Sequence, residues 1–113
     1  MLANFDNKRI ANILGYHSHY FKALAYLHLG KSQYASASDE GRAMNKAVTY
    51  LTICTTKFTE ARGYAQAAGG PYLVNYNAKC AEAETLLAKA VKDNKEIFRE
   101  PKVDPNDLPK LDA

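Results

Sequence analysis

A chain of 113 residues, 47% of them hydrophobic, can bury one core of its own and leaves no room for a second independent domain. Its formal charge of +3 comes from 15 Lys plus Arg against 12 Asp plus Glu, scattered with no basic block or stripe, which argues against a nucleic-acid partner. Cys54 and Cys80 stand 26 positions apart with no C-x-x-C, so neither a disulfide framework nor a zinc site is indicated, and both are read as reduced, inward-facing thiols.

No stretch approaches the roughly 20 apolar residues of a bilayer span, and "MLANFDNKRI" lacks the apolar region of a signal peptide. A soluble intracellular protein is the expectation. From Asn7 to about Ala37, Ile10, Ile13, Leu14, His17, Phe21, Leu24 and His28 recur at steps of three and four, the period of one helix face. A second set, Tyr16, Tyr20, Ala23 and Leu27, lies beside the first and widens the stripe, so this helix is expected to pack on two sides.

"SASDEGR" offers Ser38 and Asp39 as caps, with acids where a helix dipole favours them, and predicts a second helix from about 39 to 68. Its inner face reads Met44, Ala47, Val48, Leu51, Cys54, Thr55, Phe58, Ala61 and Ala65. The β-branched run "TICTT" lowers helix propensity locally, and the periodicity on both sides outweighs it. "AAGGPY" then supplies Gly69 and Gly70 as a stop and Pro71 at the first position of a third helix.

That third helix is expected over 71–98, with Tyr72, Tyr76, Cys80, Ala83, Leu87, Ala90, Val91, Asn94 and Ile97 or Phe98 inward. Lys79, Glu82, Lys89 and Lys92 are left for solvent. Pro101, Pro105 and Pro109 end it and leave a tail over 99–113. The fold class is therefore all-α: three long antiparallel helices, each roughly 40 to 45 Å long, joined by short turns as in an α-solenoid or tetratricopeptide-like scaffold.

Chemistry-bearing constellations are weak. His17 and His19 point to nearly opposite sides of a helix, while His17 and His28 share a face but lie about 16 Å apart, too far for one ion. No Ser or Cys has a base at a suggestive spacing, no pair of carboxylates is set for acid and base work, and the glycines of "AAGGP" form no phosphate loop. No metal, no cofactor and no enzymatic activity are expected; a small helical enzyme or metalloprotein would rest on His17 and Cys54 alone. The eight tyrosines give the helices amphipathic, semi-buried surfaces, which favour a binding scaffold. "LAYLHLGKSQYASASDEGRAMNKAVTYL" has the rhythm of one tetratricopeptide-like hairpin, with no second copy to make an array.

The order "NKRIANILGYHSHYFKALAYLHLGK", "DEGRAMNKAVTYLTICTTKF" and "LLAKAVKDNKEIFREPKVDPNDLPKL" resembles the C-terminal third of the Bro-one (BRO) domain of the Alix-like family. Lys92, Asp93 and Asn94, then Ile97, Phe98 and Val103, then Asp107, Leu108 and Leu111 follow that family's closing "KDND-FIY-x-x-x-VP" and "DL-x-x-I" order. Two departures stand out: Phe98 occupies a position where tyrosine is usual, and Pro101 precedes Lys102 and Val103 where the family has "VP".

The resemblance implies a fragment of a curved, non-catalytic scaffold that lacks the domain's earlier helices, with self-association or further chain segments covering the apolar flank of its first helix. It implies binding of the C-terminal amphipathic helix of an ESCRT-III subunit, of the Snf-seven or charged-multivesicular-body-protein type, by a helix-in-groove mode. It also implies a role in endosomal sorting, multivesicular body formation or pH signalling, in the cytoplasm and peripherally at endosomal membranes. Leu108 and Leu111 are the expected partner-binding residues, with Ile97, Phe98 and Val103 as anchors that dock the tail along the helices. A generic helical-repeat adaptor with an unrelated partner is the alternative.

Overall fold

The computed structural model describes the backbone of residues 2–108 and the side chains of residues 10–106 and 108. The chain is all-helical: α1 (Leu2–Glu40), α2 (Met44–Ala68) and α3 (Gly70–Asp93), followed by a π-helical turn at Asn94–Phe98 and a 3-10 turn at Pro105–Asp107. Among the described residues there is no strand. α1, with 39 residues, is far longer than the other two and by its rise spans about 58 Å. It sets the 59 Å long axis of the molecule. α2 packs along it antiparallel, and α3 returns along α2.

The first turn does not fall where the sequence suggested. Ser38 and Asp39 remain inside α1, and α2 begins at Met44 after Gly41 and Ala43, both in the left-handed region at φ 71 and 67. Left-handed backbone costs an alanine roughly 1 kcal/mol, and neighbours hold it there. Gln33 donates to the Ala43 carbonyl (3.3 Å), while the Glu100 carboxylate accepts from the backbone N–H groups of Ala43 (2.7 Å) and Asn45 (3.1 Å). No side chain of α2's own start caps it. A glutamate from beyond the third helix does that work, with the charge sign a helix N-terminus favours.

At the second turn the sequence reading and the structure differ by one residue: Gly69, at φ 66, closes α2 with its N–H on the Ala65 carbonyl, while Gly70 already begins α3 and Pro71 is its second residue. The core is lined by Met44, Ala47, Leu51, Cys54, Phe58, Ala61 and Ala65 of α2 and by Tyr76, Ala83 and Ala90 of α3. α1 requires a correction. Its buried face is Tyr16, Tyr20, Ala23 and Leu27, the set placed second by the sequence, joined by Tyr26 and Ala37, whereas Ile10, Leu14 and Phe21 are 53%, 63% and 60% exposed and His28 also faces out.

Packing explains the exchange. Ala23 faces Cys54, whose Sγ donates to the Ala23 carbonyl (3.3 Å), and small residues at that depth let α1 and α2 approach closely. The tyrosines carry rings into the core and find acceptors for their hydroxyls: Tyr16 on the Tyr72 carbonyl (3.1 Å), Tyr20 on that of Asn75 (3.5 Å) and Tyr76 on that of Phe58 (2.6 Å). Tyr16 and Tyr20 stack at 4.9 Å, and Phe58 meets the Tyr20 and Tyr76 rings edge-on.

α3 ends in a wide turn in which the Arg99 N–H reaches the Asn94 carbonyl (2.5 Å) with Arg99 left-handed at φ 52. The Asn94 side chain then clasps the backbone of Glu100 from both sides. From there the chain runs along α2: Asn45 donates to the Pro101 carbonyl (2.9 Å) and Thr49 to that of Val103 (3.3 Å). Replacing Glu100 by alanine orphans two amides and releases the start of this run. We expect a loss of about 1 to 2 kcal/mol in urea unfolding, with faster amide exchange at Ala43 and Asn45; exchange and midpoint unchanged from wild type would show that the contact carries no weight.

Candidate functional site

α1 and α3 meet chiefly through long side chains, because the tyrosines that bridge them hold the backbones apart. Toward the C-terminal half of α1 this spacing opens a groove of about 590 Å³. Its floor is α3, where Ala78, Ala81 and Thr85 present small side chains and Leu86 an apolar one; Lys31 and Tyr34 of α1 form the opposite wall. Three-and-four spacing on α3 puts these floor residues on one side of the helix.

Charge is organised around the groove. Glu82 binds both Lys31 and Lys79, the latter at 3.2 Å, and the Lys31 contact holds its carboxyl below the usual range. Tyr34 donates to Asp93, and burial with that bond pushes its hydroxyl up to about 12. The Lys89 ammonium lies over the Tyr34 ring, 5.3 Å from its centre. The sequence left Glu82 and Lys89 to solvent as an unremarkable charged face. Their partners, Lys31 and Tyr34, sit more than forty positions away on another helix, so no local signal pairs them.

The groove is thus an apolar trough with small residues on its floor and the Lys31 and Lys89 ammonium groups at its margin. Among the described residues no three His, Cys, Asp or Glu side chains come together as a ligand set. The Cys54 thiol is fully buried, and burial pushes it up to about 12, so it is protonated at neutral pH and is not poised as a nucleophile. His17 packs between the Phe21 and Tyr72 rings and His19 stacks on Tyr64, well apart from the groove walls.

The residues singled out in the tail are spread along the far side of α2. Phe98 and Val103 are half-buried against the core, and Leu108 is 7% exposed within it, whereas Ile97 points into water at 69% exposure. Leu111 lies outside the described residues. None of these lines the α1–α3 groove. Val103 does edge a second cleft of about 440 Å³, between the tail and Val48, Thr49 and Thr52 of α2. No helix among the described residues is long and apolar enough to cross a membrane. Comparison with protein-family models, with curated proteins and with solved structures finds no match to this chain.

Proposed function

We propose that this chain is a non-catalytic helical scaffold whose α1–α3 groove receives an amphipathic partner helix. The observation that carries the reading is the groove itself. Ala78, Ala81 and Thr85 allow a helix backbone to come close, Leu86 offers an apolar contact, and Lys31 and Lys89 lie where acidic flanks of a ligand would pass. A few buried anchors supply most of the energy in such a complex, and the charges supply orientation.

The resemblance of "KDNKEIF…VDPNDLPKL" to the close of a Bro-one domain extends the proposal. The three helices are then part of a tetratricopeptide-like α-solenoid with an ordered tail, and the partner is the C-terminal helix of an ESCRT-III subunit at endosomal membranes. In that reading the buried Leu108 holds the tail against the helices.

Fluorescence anisotropy of a labelled peptide from the C-terminus of a Snf-seven-type subunit, titrated with the chain, tests this. Binding is expected, and Leu86→Asp or Lys89→Glu is expected to weaken it about tenfold or more. An unrelated acidic amphipathic helix that binds in the groove while the ESCRT-III peptide does not would support the generic adaptor instead. No binding of either would end the groove reading.

A further inference from the structure

The sequence of α1 is unusual on the side away from the core. Among residues 10–30, Lys22 is the only Asp, Glu, Lys or Arg, so the outer side of the helix carries a single charge. A surface helix of a protein ordinarily carries its charge there. Instead, Ile10, Leu14, His17, Phe21, Leu24 and His28 follow one another at alternating steps of four and three, the repeat of a coiled-coil seam. The largest apolar members of that seam are mostly in water.

Beside the seam, Ala11, Ser18 and Ala25 recur every seven residues, and all three lie at the surface or are half-exposed. By helical periodicity they stand opposite Tyr16, Tyr20, Ala23 and Leu27, which face the core. Small side chains at one position of each heptad let a second helix approach to about 8 Å.

We infer that this outer face of α1 is a dimer interface for a second copy of the chain, paired antiparallel about a two-fold axis between His17 and Ser18. In that register each large group meets a complement. Leu14 lies against the partner copy's position 21 and Phe21 against its position 14, Ile10 against position 25, Leu24 against position 11, and the His17 imidazole against the hydroxyl at position 18. A parallel pairing would instead stack Phe21 on Phe21 and leave the small residues facing one another. The two-fold arrangement is isologous, so each contact occurs twice and the assembly closes at two.

The amount of surface suits this. Ile10, Leu14 and Phe21 leave on the order of 350 Å² of largely apolar surface in water, and with their flanking positions each copy offers about 600 Å². Two copies then bury about 1,200 Å², the lower edge of specific interfaces; Lys22, beside Ser18 and Ala25, is the one charge next to the contact, and its long stem lets the ammonium reach water at the edge. The inference does not rest on the helix-binding reading, because the groove lies between α1 and α3 and uses none of these residues.

Sedimentation equilibrium of the full 113-residue chain is expected to show a monomer–dimer equilibrium. Leu14→Asp with Phe21→Asp should weaken the dimer by more than about tenfold while leaving the helical circular dichroism intact; Ser18→Arg provides the same test at a position that buries nothing in the monomer. In a Cys80→Ser background, Ser18→Cys should be joined to a second copy by a short thiol cross-linker. A chain that stays monomeric at the highest concentration overturns the inference, as does a dimer that survives these substitutions. A dimer in which Ser18→Cys fails to cross-link overturns the register and the face together.

Discussion

Replacing Gly30 by valine is expected to destabilise the chain by about 3 kcal/mol. A Cβ at Gly30 would stand 2.4 Å from Leu51 Cδ2 and 2.6 Å from its Cγ, far inside contact distance. Leu51 is fully buried, so either its side chain turns within a close-packed core or α1 and α2 separate where they meet. The alanine variant weighs two effects against each other. Alanine gains about 1 kcal/mol of helix propensity over glycine, while overpacking a close-packed core costs about 1 to 3 kcal/mol.

The clash wins, so Gly30→Ala is also expected to be less stable than wild type. Gly63 provides the control, because a Cβ there meets nothing within 4 Å and Gly63→Ala keeps only the propensity gain. Urea midpoints at unchanged slope measure all three. Stabilisation by Gly30→Ala comparable to that of Gly63→Ala would mean that α1 and α2 are not held this closely.

The second large effect is expected at high pH. Burial pushes the Cys54 thiol from 9.0 to about 12, and burial together with their phenol or carboxylate neighbours pushes Tyr16 and Tyr34 from 10.0 to about 12. Tyr20, Tyr76 and Cys80 are displaced in the same direction, burial again first. In each case the folded chain keeps a proton that the unfolded chain releases. The stability contributed by these groups is therefore fully present below pH 9, falls once the unfolded chain ionises, and is spent near pH 12.

The melting temperature should accordingly drop steeply across that window, with tyrosinate absorbance rising together with the loss of helix. Cys54→Ala should make the first part of the fall shallower, and Cys54→Ala together with Cys80→Ser should move its start from the ordinary thiol range toward the ordinary phenol range, from about 9 to about 10. Ionisation of all eight tyrosines near pH 10 with the helices intact would contradict the burial of Tyr16.

Much of α2 and the turn at Gly69 were legible because their signals are local. Glycines, a proline and a three-and-four pattern of small and apolar residues admit one reading, and Met44 through Ala65 lie where that pattern puts them. α1 carries two apolar stripes, and ranking by hydrophobicity chooses Ile10, Leu14 and Phe21. The fold buries Tyr16, Tyr20 and Ala23 because close helix approach rewards small residues, and because α3 supplies carbonyls for the hydroxyls. Neither condition is visible until the third helix is in place.

The start of α2 was misplaced for a related reason. Ser38 and Asp39 are good caps in isolation, yet the residue that caps is Glu100, which no window around position 43 contains. The candidate groove was equally hidden, since its walls belong to helices that only tertiary packing aligns.

That distant cap also orders events in time. Ala43 and Glu100 are 57 positions apart, so while the chain is being made from its N-terminus the α1–α2 hairpin can collapse on Leu51, Cys54 and Phe58 long before position 100 exists. Throughout that interval the opening turn of α2 has only water for its amides. The hairpin thus forms with one corner unfinished, and that corner is closed only after α3 and position 100 have followed it.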